Sequence, residues 1–167
     1  YDLVFVGRLV SNKGLKLFLQ VLQSTGLVGV VVGDGPLRAW ASHWARQHHL
    51  KVHFVGFVPD AGAVADFINH SRLLVMTSYN EGGPRVVPEA LACGVPVVAT
   101  PVGIVPDILP PEAIEEWSAA ALAEKVKNIL SDHALYERLR QAGLQAVGQF
   151  ERSAAIAAYA NAIKSFA

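Results

Sequence analysis

Residues 80–89 read NEGGPRVVPE and set Glu81 and Glu89 eight positions apart around a Gly-Gly-Pro turn. Two carboxylates so spaced can flank a scissile glycosidic bond, or they can accept hydrogen bonds from the hydroxyls of a bound ligand. Glu89 falls about a turn and a half into a helical pattern otherwise made of Val86, Val87, Leu91 and Ala92, where a half-buried carboxylate needs a donor. Ligand hydroxyls meet that need. So would a lysine paired with Glu89, with Glu81 then a plain loop charge. Gly82 and Gly83 let the backbone approach a ligand, and the N–H groups of Gly83, Arg85 and Val86 are candidates for holding a phosphate. Pro84 has no N–H to add.

Two cations stand ready for the same kind of ligand. Arg8 follows the first apolar run directly, after Gly7, and Lys13 precedes Gly14 at the mouth of the first helical pattern. A helix N-terminus already favours negative charge, so the pair suits a phosphate; as solvated surface charges they would carry no function. A hydrolase has no use for such a cradle, which weighs against glycosidic cleavage. No Asp-x-Asp occurs in the sequence, so no metal-bridged diphosphate is expected and no metal ligand is assigned. Cations and helix dipoles must then offset the phosphates.

Gly33-Asp34-Gly35-Pro36-Leu37-Arg38 invites a dinucleotide reading, but Arg38 stands where the third glycine belongs and no acidic residue ends the next strand. That speaks against NAD and hydride transfer. The simpler account has Gly35 making a turn and Pro36 starting a helix. His49 and His53 span a helix end and a strand start rather than one helix face, which is poor metal spacing. Trp40 and Trp44 lie one helical turn apart and are expected to pack one helix face. Cys93 reads as a small buried filler with no histidine nearby in sequence to activate it.

The elements that must position these residues alternate. Apolar runs at 2–7, 27–33, 52–56, 72–77 and 95–100 read as strands covered on both faces, with helical patterns at 14–25, 37–49, 61–70 and 85–93 between them. The expected fold class is α/β, a Rossmann-like three-layer α/β/α domain with a mostly parallel sheet. In such sheets ligands bind at the carboxyl ends of the strands, which is where the loops carrying Arg8, Lys13, Gly33 and Glu81 fall. After Pro110 and Pro111 helices alone are expected, at roughly 118–131, 133–147 and 151–166. The last, with Ile156, Tyr159, Ala160 and Ile163 at helical spacing, reads as a core or interface helix; Arg152 and Lys164 supply too little charge for a membrane-surface role.

The chain has 167 residues, 52% of them hydrophobic, enough for one sizeable domain spanning 1–167. Fourteen basic residues balance fourteen acidic ones, so no nucleic-acid partner is expected. A single cysteine excludes an internal disulfide and suits a reducing, cytoplasmic setting. The apolar runs fall short of the roughly 20 residues that cross a bilayer. Opening at Tyr1 almost directly in a strand suggests a piece of a longer polypeptide.

Taken in order, G-R-x4-K-G, V-V-G-D-G-P, V-x-F-x-G and E-G-x6-E-A-x-A-x-G-x-P-V-V-A-T-x-V-G resemble glycosyltransferase family 4. More narrowly, they resemble the donor-binding, C-terminal half of its GT-B fold. The resemblance runs from Tyr1 to about Leu109 and carries the family's paired glutamates with seven residues between. It implies a retaining, metal-independent transferase with no cofactor, whose donor is a nucleotide-sugar such as a UDP-, GDP- or ADP-sugar. By that resemblance Arg8 and Lys13 bind the diphosphate, Glu81 holds the transferred sugar, and Glu89 holds the ribose. Gly7, Gly33, Gly82, Gly83, Arg85 and Val86 approach the donor, and backbone at Phe57 and Val58 meets the base. The acceptor, a glycan, lipid or small molecule, would be supplied through an N-terminal domain absent from this chain. Any peripheral association with the inner membrane surface would likewise run through that domain. Two departures stand out: Gly83-Pro84 replaces the commoner Phe-Gly, and Gly103-Ile104 replaces Gly-Gly. A second implied reading is a non-catalytic nucleotide-binding module of the same fold; persistence of Arg8, Lys13, Glu81 and Glu89 together favours the enzyme.

Overall fold

A computed structural model describes residues 1–148; the expected helix at 151–166 lies outside them. Five strands, β1 (Leu3–Val6), β2 (Gly29–Val32), β3 (Val52–Gly56), β4 (Leu73–Met76) and β5 (Val97–Ala99), form one sheet in the order β3-β2-β1-β4-β5. Every pairing is parallel, which sharpens the expected mostly parallel sheet. β1, β2, β4 and β5 are buried almost throughout, so their side chains are apolar without alternation.

Seven helices surround the sheet among the described residues: α1 (Leu15–Thr25), α2 (Arg38–Gln47), α3 (Ala61–Asn69), α4 (Val86–Ala92), α5 (Val105–Ile108), α6 (Ala119–Ser131) and α7 (His133–Val147). Right-handed crossovers place α1 and α2 on one face and α3 and α4 on the other. The packing agrees, α1 against α2 and α3 against α4, with α6 covering α1 and α7 covering α4. α1 buries Leu15, Phe18, Leu19 and Leu22 on its inner side, and the Phe18 ring meets Phe5 of β1 at 5.4 Å. Asp60, Ser118 and Asp132 each cap a helix by accepting from a backbone N–H three residues on, which stops α3, α6 and α7 from starting earlier.

Beyond Pro110 the chain is not helical alone. Ile114 forms a parallel bridge with Ala99 of β5, and Glu115 donates its N–H to the Ala99 carbonyl at 3.0 Å. A single bridged pair leaves no periodic signature, so the sequence pattern could not announce it. Its effect is to bring residues 115–118 to the same edge of the sheet as the loops of interest.

Candidate functional site

The order in which strands are added reverses between β1 and β4, since β1 is followed outward by β2 while β4 lies on its other side. This is the switch point at which open α/β sheets take ligands. Here the loops after β1 and β4 are joined by their backbones. A 3-10 turn at Ser11–Lys13 leads into Gly14, which adopts a left-handed φ of 68°. A side chain at Gly14 would place its Cβ 1.9 Å from the Thr77 carbonyl oxygen, so only glycine lets the two loops touch. The Thr77 hydroxyl donates to the Gly14 carbonyl at 2.9 Å, and the Tyr79 N–H donates to the Asn12 carbonyl at 2.7 Å.

That junction sets the charged pair. The Lys13 ammonium donates to Oε1 of Glu81, with the two side chains 28% and 14% exposed. The Ser78 hydroxyl donates to the same oxygen at 2.9 Å. The Ser78 carbonyl accepts from the Thr100 hydroxyl at 2.6 Å and from the Trp117 indole N–H at 2.9 Å. From the other side the loop after β5 closes in: a Cβ on Gly103 would stand 2.1 Å from the Gly82 carbonyl oxygen, and Ile104 donates its N–H to that carbonyl at 3.1 Å. Glu81 is therefore held by three loops at once.

Beside this pair opens a cleft of about 430 Å³ lined by Val6, Gly7, Arg8, Val32, Gly33, Asp34, Phe57, Val58 and Val64. Its floor is the carboxyl ends of β1, β2 and β3, tied by Gly7 N–H to Val32 O at 3.0 Å and Gly33 N–H to Gly56 O at 2.8 Å. Val6 lines both this cleft and the small hollow shared by Lys13, Ser78, Glu81 and Val86, so the two sites adjoin across the end of β1. Arg8 is exposed at the cleft and has no carboxylate within ion-pair distance among the described residues. Phe57 is 74% exposed. Arg38 lies across the end of β3, donating to Asp34 and to the Phe54 carbonyl at 3.3 and 3.4 Å.

The structure brings Lys13, Glu81 and Val86 together and sets Gly7, Arg8, Gly33, Phe57 and Val58 in the adjoining cleft. Gly82 and Gly83 are exposed on the loop between Glu81 and α4. Their N–H groups, like those of Arg85 and Val86, are given to no protein acceptor among the described residues. Arg85 and Glu89 sit apart from both hollows. Glu89 is in the first turn of α4 rather than a turn and a half in, and its side chain is 46% exposed. The helix starts at Val86, one residue later than the apolar pattern at 85–93 suggests. Its partner is Arg85, at 3.7 Å, with Arg85 91% exposed, not a lysine.

Cys93 caps α4 and is only partly buried. Burial and, after it, the negative charge of Glu89 push its thiol up from the ordinary value. With less thiolate at a given pH, alkylation by iodoacetamide at pH 8 is expected to run slower than for a free cysteine, and Glu89→Gln is expected to speed it. Equal rates for Cys93 and free cysteine would contradict this. Trp40 is partly exposed at 37%, its ring 6.3 Å from Trp44, whose own ring lies tilted against His48 with centroids 4.1 Å apart. The expected apolar face is thus only half covered.

Thr77, Ser78 and Trp117 were not evident as site residues. Ser78 lies three positions before Glu81 in a loop, and a polar residue at that spacing carries a weak signal. Trp117 had none, since only the Ile114 bridge brings it near.

Residues 1–146 match the family described as glycosyl transferases group 1. The chain belongs to that family. TuaC of Bacillus subtilis (strain 168), a glycosyltransferase named for teichuronic acid biosynthesis, is 39% identical over 128 residues, covering 74% of this chain and 31% of its own length. The chain spans about a third of the length of the first curated relatives it matches. Among solved structures, sucrose-phosphate synthase from Thermosynechococcus elongatus superposes with a TM-score of 0.83 at 27% identity, over 98% of this chain and 45% of that one. Anabaena Alr3699/HepE, in complex with UDP and glucose, superposes with a TM-score of 0.86 at 20% identity, over 99% of this chain and 48% of that one. This group 1 domain therefore has the Rossmann-like architecture of GT-B glycosyltransferases. No helix among its described residues is long and apolar enough to cross a membrane.

Proposed function

We propose that this group 1 domain is the C-terminal, donor-binding half of a retaining, metal-independent family 4 glycosyltransferase that takes a nucleotide-sugar. The observation that carries the reading is the contact of Lys13 with Glu81 at the β1/β4 switch point, beside a cleft that exposes Arg8. A base fits the cleft, with Phe57 and Val58 at its wall. The diphosphate then reaches Arg8 and Lys13, and the sugar reaches Glu81. As the bond from the sugar to the diphosphate breaks, negative charge grows on the leaving oxygens, and fixed cations stabilise it without reorganising. The single domain fold over the described residues fits one donor module, with the acceptor met through an N-terminal partner. Metal independence rests on the absent Asp-x-Asp motif and on the two cations. In HepE the bound ligands are UDP and glucose, which agrees with a nucleotide-sugar here.

Titration calorimetry with UDP, GDP, ADP and their sugar conjugates, followed by a transfer assay of the full-length protein, tests the reading. Absence of binding for every nucleotide would refute it. Binding without transfer by the full-length protein would instead identify a binding-only module. Glu89→Ala separates a ribose contact from a plain surface charge. Its ion pair with Arg85 is exposed, so thermal stability should move little, while nucleotide affinity is expected to fall about tenfold if ribose hydroxyls are lost as partners. Unchanged affinity would remove Glu89 from the site.

A further inference from the structure

Two aromatic rings beside Glu81 remain without a role. Tyr79 and Trp117 are exposed by 51% and 40%, and their rings lie nearly parallel, 19° between planes with centroids 6.5 Å apart. Neither sits on a loose segment. Tyr79 is tied through its N–H to Asn12 at 2.7 Å, and the Trp117 indole N–H is tied to the Ser78 carbonyl at 2.9 Å. Because Trp117 follows the bridge between Ile114 and Ala99, the pair lies on the β5 side of Glu81, whereas the cleft with Arg8 lies at β1, β2 and β3. Ser78 connects the two chemistries, with its carbonyl on Trp117 and its hydroxyl on Glu81.

A fixed aromatic surface that continues into a carboxylate and a hydroxyl matches a pyranose, which has a C–H face and a hydroxyl edge. Aromatic groups with an apolar face and a polar neighbour favour such mixed ligands. A ring on an anchored backbone, like an indole tied through its N–H, also loses less entropy on contact than one on a loose segment. We propose that Tyr79 and Trp117 form a stacking platform for a pyranose ring of the acceptor, on the far side of Glu81 from the nucleotide cleft. Naming that ring the acceptor rests on the donor-site reading above; the platform itself rests on the rings.

The test titrates full-length protein with methyl α-D-glucopyranoside and methyl N-acetyl-α-D-glucosaminide, read by saturation-transfer NMR and tryptophan fluorescence, with no nucleotide present. Saturation should reach the ring C–H protons, and Tyr79→Ala and Trp117→Ala should each weaken saccharide binding about fivefold. Trp117→Phe keeps a ring and removes only the indole N–H, so it should retain most of the binding. Tyr79→Ala removes an exposed ring with no side-chain hydrogen bond among those described, and keeps the test readable if Trp117→Ala folds poorly. Binding of UDP, GDP and ADP should be unchanged in Tyr79→Ala. Equal saccharide signals in wild type and Tyr79→Ala, or no signal in wild type, would overturn the platform. If the alanine variants instead weaken a nucleotide-sugar relative to its nucleoside diphosphate, the ring belongs to the donor and the acceptor assignment falls. Failure of all nucleotides to bind is read in the separate titration and strikes the donor-site reading and with it the name acceptor, but not the platform.

Discussion

Lys13→Ala is expected to slow sugar transfer by the full-length protein about 100-fold to 1,000-fold, roughly 2.7 to 4 kcal/mol of lost charge stabilisation. Binding of a nucleoside diphosphate should weaken while binding of the nucleoside alone stays the same, because Lys13 faces Glu81 and not the apolar cleft. Glu81→Gln is the informative partner. In the absence of ligand the Lys13 ammonium is committed to Glu81 Oε1, so a diphosphate must compete for it. Removing the carboxylate charge frees the cation. The variant should therefore bind a bare nucleoside diphosphate more tightly than wild type, yet gain less from an attached sugar and transfer it more slowly. Calorimetry with paired ligands reads both signs. Parallel losses for diphosphate and sugar conjugate in Glu81→Gln would mean that the ion pair serves only to hold the loops together.

Gly14→Ala carries the largest expected effect on stability. Gly14 and Gly26 share nearly one backbone angle, φ 68° and 69°, but differ in surroundings. A Cβ at Gly26 meets nothing within 4 Å, whereas at Gly14 it would fall 1.9 Å from the Thr77 carbonyl oxygen. Gly26→Ala should then cost about 1 kcal/mol for the left-handed conformation alone. Gly14→Ala must also push the two loops apart and should cost about 3 kcal/mol or more. Urea denaturation measures both, and equal losses would show that the junction yields without strain. Since Lys13 precedes Gly14 directly, the same substitution should weaken nucleoside diphosphate binding in whatever fraction remains folded.

The order of elements was readable because each strand is a short apolar run and each helix between strands carries a one-sided apolar stripe, as Leu15, Phe18 and Leu22 do in α1. The boundaries moved inward by one or two residues where glycine, as at Gly7 and Gly33, ends a ladder. Glu89 lies in the first turn of α4, nearer the helix start than its sequence pattern suggests, because an apolar pattern tells which residues share a helix face but not where the first turn begins.

By itself the sequence determined the parallel α/β class, the alignment of its chemical groups with strand-to-helix loops, and the presence of Arg8, Lys13 and Glu81 among them. Those are local facts, written in residue type and short-range period. Tertiary structure alone decided that Lys13 meets Glu81 and that Trp117 returns to the site through one bridged pair on β5. The contacts of Lys13 with Glu81 and of Trp117 with Ser78 join residues 68 and 39 positions apart, and the second hangs on the single bridged pair of Ile114 with Ala99. Only the packing of loops over the sheet edge sets them, and packing leaves no periodic trace in the chain.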